Sequence, residues 1–150
     1  MAMNRTLTIE LPGLPPSSNS AFAVKVDPHG KVHYYPTYKL RTFNESVIWE
    51  LKRYRQSAEK LQNKIVLVEM SFLSPKWIGK TTGRPTIRDI SGNLQKYLID
   101  TLFRGLGLVR GAGEIPADEY VFETISRKVI STETKTIIKM REITPLTTRK

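Results

Sequence analysis

Carboxylates close to a lysine, set among basic residues, are the residue types that phosphodiester chemistry uses, and this chain carries acids of that kind in two places. The first is Asp89-Ile90-Ser91-Gly92-Asn93-Leu94-Gln95-Lys96, running on to Asp100. On a helix Asn93, Lys96, Asp100 and Arg104 recur at three- and four-residue intervals and share a face. Asp89 and Ser91 precede that helix, where either side chain can cap orphan amides. The second place is Asp118-Glu119, just ahead of a strand pattern. Hard divalent cations take oxygen ligands, so Asp89, Asp118 and Glu119 can supply a site from separate elements. An ion held there activates water and stabilises a leaving oxygen, and Lys96 can offset charge building on a phosphate. The same residues also suit a plain surface. A Lys96–Asp100 pair on a solvated helix face is worth about 0.3–0.5 kcal/mol, and adjacent acids commonly open a strand.

Charge favours an anionic partner. Among 150 residues, 24 Lys and Arg face 14 Asp and Glu, for a formal net charge of +10, which points to nucleic acid before membrane. Between Pro75 and Arg110 the basic residues Lys76, Lys80, Arg84, Arg88, Lys96, Arg104 and Arg110 meet only Asp89 and Asp100. Such side chains can grip phosphates, or simply keep a surface solvated. The absence of cysteine excludes disulfide scaffolds, zinc ribbons and thiol catalysis. Two histidines, His29 and His33, leave little for a triad or a multi-histidine metal site. Gly79-Lys80-Thr81 lacks the preceding glycine and the following helix of a phosphate-binding loop. No run approaches the ~20 apolar residues of a membrane span, and a cytoplasmic protein is expected.

The elements that must position these residues follow from periodicity. Leu7, Ile9 and Leu11 alternate with polar residues, as in a half-buried strand. Ala21 to Val26 and Lys31 to Pro36 flank Asp27-Pro28-His29-Gly30 and predict a hairpin. Thr42 to Leu61 reads as a helix, with Phe43, Val47, Leu51 and Tyr54 on one face and Thr42 with Glu45 as a capping box. Lys64 to Ser74 is a strand apolar on both faces at its start, which suggests an internal position. Pro75 to Arg88 is a polar loop, and Asn93 to Arg104 a second helix with Leu94, Leu98 and Leu102 as its stripe. Tyr120 to Ile130 and Thr134 to Ile143 are two strands joined by a short turn at Ser131-Thr132-Glu133. The order β-β-β-α-β-α-β-β implies one α+β domain over 1–150, two main helices packed on a mixed, largely antiparallel sheet. Residues 145–150 read as a flexible basic tail. Trp49, on the apolar side of the first helix, suits the core or a dimer interface. Trp77 and His33-Tyr34-Tyr35 suit packing, or stacking on unpaired bases.

Three stretches in this order resemble the RusA-type Holliday junction resolvases. Asp89 to Lys96 with Asp100 one turn later resembles that family's D-x-(D/S)-N-x-x-K-x-x-x-D helix. Leu14-Pro15-Pro16-Ser17-Ser18-Asn19 is similar to its P-P-S-x-N loop, and Asp118-Glu119-Tyr120-Val121 to the acidic turn before its next strand. The resemblance implies a homodimeric endodeoxyribonuclease that uses magnesium, with manganese as a substitute, and cuts four-way DNA junctions in recombination and repair. Asp89 then matches the first metal-binding aspartate, Lys96 the catalytic lysine and Asp118 the third acid, with Ser91 and Asn93 in supporting positions. Ser91 or Gly92 stands where the second aspartate falls, with one residue inserted before Asn93, so Asp100 or Glu119 would complete the ligand set. Asn19 and the basic residues named above would contact DNA. A junction-binding protein that has lost cleavage, or a less selective structure-specific nuclease, are the alternative readings.

Overall fold

Alternating apolar residues build the centre of the sheet. The computed structural model describes residues 5–16, 22–85 and 93–148, with the side chains of Phe22 and of residues 93–97 left aside. Strand β1 (Thr6–Pro12) buries Leu7, Ile9 and Leu11 and leaves Thr8 and Glu10 in solvent. β2 (Phe22–Val26) and β3 (Val32–Pro36) form a separate antiparallel ribbon. Asp27 shapes its turn, with Oδ1 accepting the N–H groups of His29 at 2.9 Å and Lys31 at 2.8 Å.

The first long helix starts earlier than the sequence pattern suggests. α1 spans Tyr38–Leu51 and continues through a 3-10 turn at Lys52–Tyr54, the short α2 (Arg55–Ala58) and a second 3-10 turn at Glu59–Leu61. Thr37 holds the N-cap position without a side-chain cap bond. Thr42 therefore lies inside the helix, and the expected Thr42–Glu45 capping box does not form. Leu40 accounts for the shift, because its burial adds a turn in front of Phe43, Val47 and Leu51. Trp49 is not a core residue: it is 69% exposed, with the Lys52 ammonium 4.8 Å from its ring centroid.

β4 (Val66–Ser74) is central and buries Val66, Val68, Met70 and Phe72 on one face, with Leu67 also buried at its start. α3 (Asn93–Gly105) follows, then the four-residue α4 (Ala117–Tyr120), β5 (Val121–Ile130) and β6 (Lys135–Glu142). The sheet order is β1-β6-β4-β5; β6 runs antiparallel to both β1 and β4, and β5 runs parallel to β4. The architecture is α+β with a mixed sheet, as the pattern implies. The short link at Ser131-Thr132-Glu133 does not, however, close a hairpin between β5 and β6, because β4 lies between them. Two strand spacings are about 10 Å, within reach of the four residues 131–134 at ~3.3 Å each. β6 takes the inner place because Thr136, Ile138 and Met140 are all buried there.

α1 and α3 pack on one another and on the face carrying Ile9, Met70 and Ile138. Gly105 lets them approach closely at their crossing, since a Cβ there would stand 2.5 Å from Leu51 Cδ1 and 3.0 Å from Leu51 Cβ. Of the leucine stripe on α3, Leu98 and Leu102 are buried; the side chain of Leu94 lies outside the described set. Residues 143–148 carry no regular secondary structure, and no helix among the described residues is long and apolar enough to cross a membrane.

Candidate functional site

The end of α3 determines where the second acidic stretch falls. Gly107 adopts φ +75°, Leu108 donates its N–H to the Phe103 carbonyl at 2.9 Å, and Gly107 donates to Arg104 at 3.1 Å. This pair of bonds around a left-handed glycine terminates a helix and turns the chain sharply, and the buried Phe103 and Leu108 accompany it. The Arg55 guanidinium Nε also donates to the Gly105 carbonyl at 2.9 Å. The Gln62 side chain donates to the Val109 carbonyl at 3.3 Å, tying the connection to the segment that leads into β4.

A tight loop then returns the chain to the sheet. Arg110 donates its N–H to the Glu114 carbonyl at 2.8 Å, and Gly113 donates to Arg110 at 3.1 Å, across a 3-10 turn at Gly111–Gly113. Pro116 and Ala117 are buried, and α4 begins with the Glu119 and Tyr120 amides donating to the Pro116 carbonyl at 3.0 and 3.1 Å. Asp118 and Glu119 occupy the first turn of α4 and are exposed; α4 contacts α3 and leads straight into β5. The acids therefore precede a strand, as the sequence pattern requires.

Arg110 is the charged centre of this corner. Its guanidinium meets the Glu119 carboxylate at 2.7 Å and the Glu114 carboxylate at 2.9 Å. Arg110, expected as a phosphate-binding residue, is engaged by two acids from its own neighbourhood. Glu119, expected as a metal ligand, is engaged by the same guanidinium. The sequence shows Arg110 and Glu114 four residues apart, but Glu119 reaches Arg110 only because the glycine-rich loop folds back.

The remaining expected residues divide into three groups. Asp100 on α3 is half-buried, and Arg104 one turn later is exposed. Asn19, Arg88, Asp89 and Ser91 lie outside the described residues, as do the side chains of Asn93 and Lys96, whose backbone forms the first turns of α3. Lys76, Lys80 and Arg84 are exposed beyond β4. Their loop is anchored firmly. Buried Ser74 accepts the Lys76 N–H at 3.0 Å, and Pro75 starts a 3-10 turn through Trp77. Trp77 is buried, its indole N–H donating to the Phe72 carbonyl at 2.8 Å; it packs into the body and does not project toward a base. Beyond it Gly79 donates to Arg84 at 2.9 Å and Gly83 back to Gly79 at 2.9 Å. Lys80 and Arg84 thus stand on a closed turn, and residues 81–85 after Lys80 are not helical.

On β3, Tyr34 and Tyr35 are exposed, and the His33 ring nitrogen lies 3.0 Å from Asp27. That contact, first among the causes, and the Lys31 amide hold the Asp27 carboxyl below its usual range.

The acids suit a hard divalent cation in ligand type. Among the described residues, however, no three of His, Asp and Glu are gathered as a metal-binding group. The corner contributes the exposed Asp118–Glu119 pair, and Asp89, expected as the first metal-binding aspartate, lies outside the described residues. No family model matches the chain, and no curated protein is significantly similar to it.

Proposed function

We propose that the protein is a metal-dependent endodeoxyribonuclease acting on branched DNA, with the four-way junction of recombination and repair as its substrate. The observation that carries this reading is the docking of α4 on α3, which sets the exposed acids Asp118 and Glu119 beside the helix bearing Asp100 and Lys96. Asp89 and Asp118 would hold magnesium, or manganese in its place, with Glu119 and Asp100 in support. The ion, when bound, supplies an acidified water and positive charge against the leaving oxygen. Lys96 would set its ammonium against charge developing on the phosphate, while Ser91 and Asn93 orient the ligands. Lys76, Lys80, Arg84, Arg88 and Arg104, with Asn19, would grip the backbone, and that grip weakens as salt rises because each phosphate contact releases counterions. A homodimer would present two such sites to a substrate that itself has two-fold symmetry.

The Arg110–Glu119 ion pair favours a second reading, a junction-binding protein that does not cut, because it engages an expected ligand with the protein's own cation. The two readings separate on labelled four-way junctions incubated with magnesium. Cleavage of the junction is expected, with Asp118→Asn lowering the rate at least on the order of a hundredfold and leaving junction retention in gels unchanged. Retention without product from the wild-type chain would establish the binding protein, and full turnover by Asp118→Asn would remove Asp118 from the metal site. Equal cutting of a linear duplex would mark a less selective nuclease.

A further inference from the structure

The two edges of the sheet are finished differently. At the β1 edge Pro12 offers no N–H, and the Tyr54 hydroxyl accepts the Glu10 amide at 3.4 Å. Proline and covering side chains are the usual means by which an edge strand is kept from pairing with another chain. β5, at the opposite edge, has no proline over Val121–Ile130 and is exposed along nearly its whole length. Phe122, Ile125 and Ile130 are 53%, 37% and 65% exposed. Lys128 stays exposed and sets its ammonium 5.0 Å from the Trp77 ring centroid, on the sheet face of Phe72. Among the described residues neither Glu123 nor Arg127 takes part in an ion pair.

We infer that β5 pairs antiparallel with β5 of a second copy, centred on Ile125, joining the two sheets across a two-fold axis. Glu123, Ile125 and Arg127 stand in register with Leu67, Glu69 and Ser71, on the sheet face opposite that of Met70 and Phe72. An axis normal to the sheet at Ile125 sets that side chain against the partner's Ile125. It also sets Glu123 against the partner's Arg127, and Arg127 against the partner's Glu123. Thr124 meets the partner's Ser126 on the other face. Opposite charges and apolar pairs directly across two strands are the stabilising unit of a sheet. Sliding the register by one residue pair destroys the match: centred on Ser126, Glu123 meets valine and Arg127 meets isoleucine. Centred on Thr124, the same two side chains meet isoleucine and valine. The strand is self-complementary in one register, which is why a second copy fits it.

This interface rests on the two-fold symmetry in the proposed function and gives that symmetry a surface. It sets the two Val121 positions, each just after an acid-bearing turn, about 26 Å apart along the shared ribbon. Sedimentation equilibrium on the full chain tests it. The wild-type chain is expected to dimerise, and Glu123→Arg or Arg127→Glu alone should weaken the dimer on the order of tenfold or more. Mixing the two variants should restore association as a heterodimer, since one strand then carries two positive charges and the other two negative ones. Both positions are exposed, and circular dichroism checks that each variant folds. A wild-type dimer that survives both substitutions overturns the strand pairing while leaving the two-fold function intact. A wild-type monomer throughout overturns both. Junction cleavage is read on the same preparations, so a β5-dependent dimer that does not cut sinks the nuclease reading and supports the interface.

Discussion

β4 and β5 run parallel and side by side, yet one is the most enclosed strand of the sheet and the other the most open. Val66, Val68, Met70 and Phe72 are each no more than 1% exposed, whereas Glu123 to Lys128 are exposed without interruption. Composition explains the split. Val-Leu-Val at the start of β4 can be buried on both faces, while Glu-Thr-Ile-Ser-Arg-Lys in β5 would leave charges unsatisfied in a core. Cohesion is thus concentrated in β4, β6, β1 and the two long helices. The strand that follows the acidic turn is left with its surface free. A molecule built this way can alter the surface around β5 without loss of its core.

Substitutions that test this contrast should differ by several-fold in cost. Phe72→Ala removes a buried ring and leaves a cavity, and should lower unfolding free energy by about 3–5 kcal/mol. Ile125→Ala in the neighbouring strand should cost less than about 1 kcal/mol in dilute solution. Urea unfolding of both variants measures the gap, and equal losses would show β5 to be as enclosed as β4. Gly105→Ala comes next. The added methyl collides with Leu51 at the α1–α3 crossing, an overpacking cost of about 1–3 kcal/mol. Alanine's better helix propensity offsets at most about 1 kcal/mol of that. A net loss near 1–2 kcal/mol by the same method is expected, and a gain in stability would mean that the helices can part there freely.

Much of the enclosed half was legible from residue order. Leu7, Ile9 and Leu11 announce β1, the doubly apolar start of β4 announces its central place, and Leu98 with Leu102 mark the buried side of α3. The α+β class follows from these. The insertion of β4 between β5 and β6 was not legible, because a short polar turn suits a hairpin as well as a hop over one strand. Only the competition of Ile138 and Met140 with the polar residues of β5 for the inner position decides it. The start of α1 was missed for a related reason, since the Thr42–Glu45 cap signal is local whereas the burial of Leu40 is tertiary. In the acidic corner the order of residues placed Asp118 and Glu119 ahead of a strand correctly. It could not show that Gly107 and the 111–113 turn bring Arg110 onto Glu119, a contact made by loop geometry and not by helical or strand spacing.

Arg110 supplies the smallest expected effect and the sharpest test of where stability and function part. Its side chain is 42% exposed and bridges Glu114 and Glu119, which are 65% and 51% exposed. Screened ion pairs of this kind are worth about 0–1 kcal/mol each, and the backbone bonds from Arg110 to Glu114 and from Gly113 to Arg110 hold the loop without the guanidinium. Arg110→Ala should therefore change unfolding free energy by no more than about 1 kcal/mol, less than either core substitution. Its effect on the acids should be larger in kind, because Glu119 loses its cation and the corner gains a unit of negative charge. Under the proposed function, half-saturation of junction cleavage should shift to lower magnesium in this variant, while salt-dependent retention of the junction weakens little. If Arg110 instead grips phosphate, retention falls and the salt dependence becomes shallower. A large loss of stability would show that the guanidinium is structural, and the division between a rigid core and an adjustable acidic corner would fail at the residue that joins them.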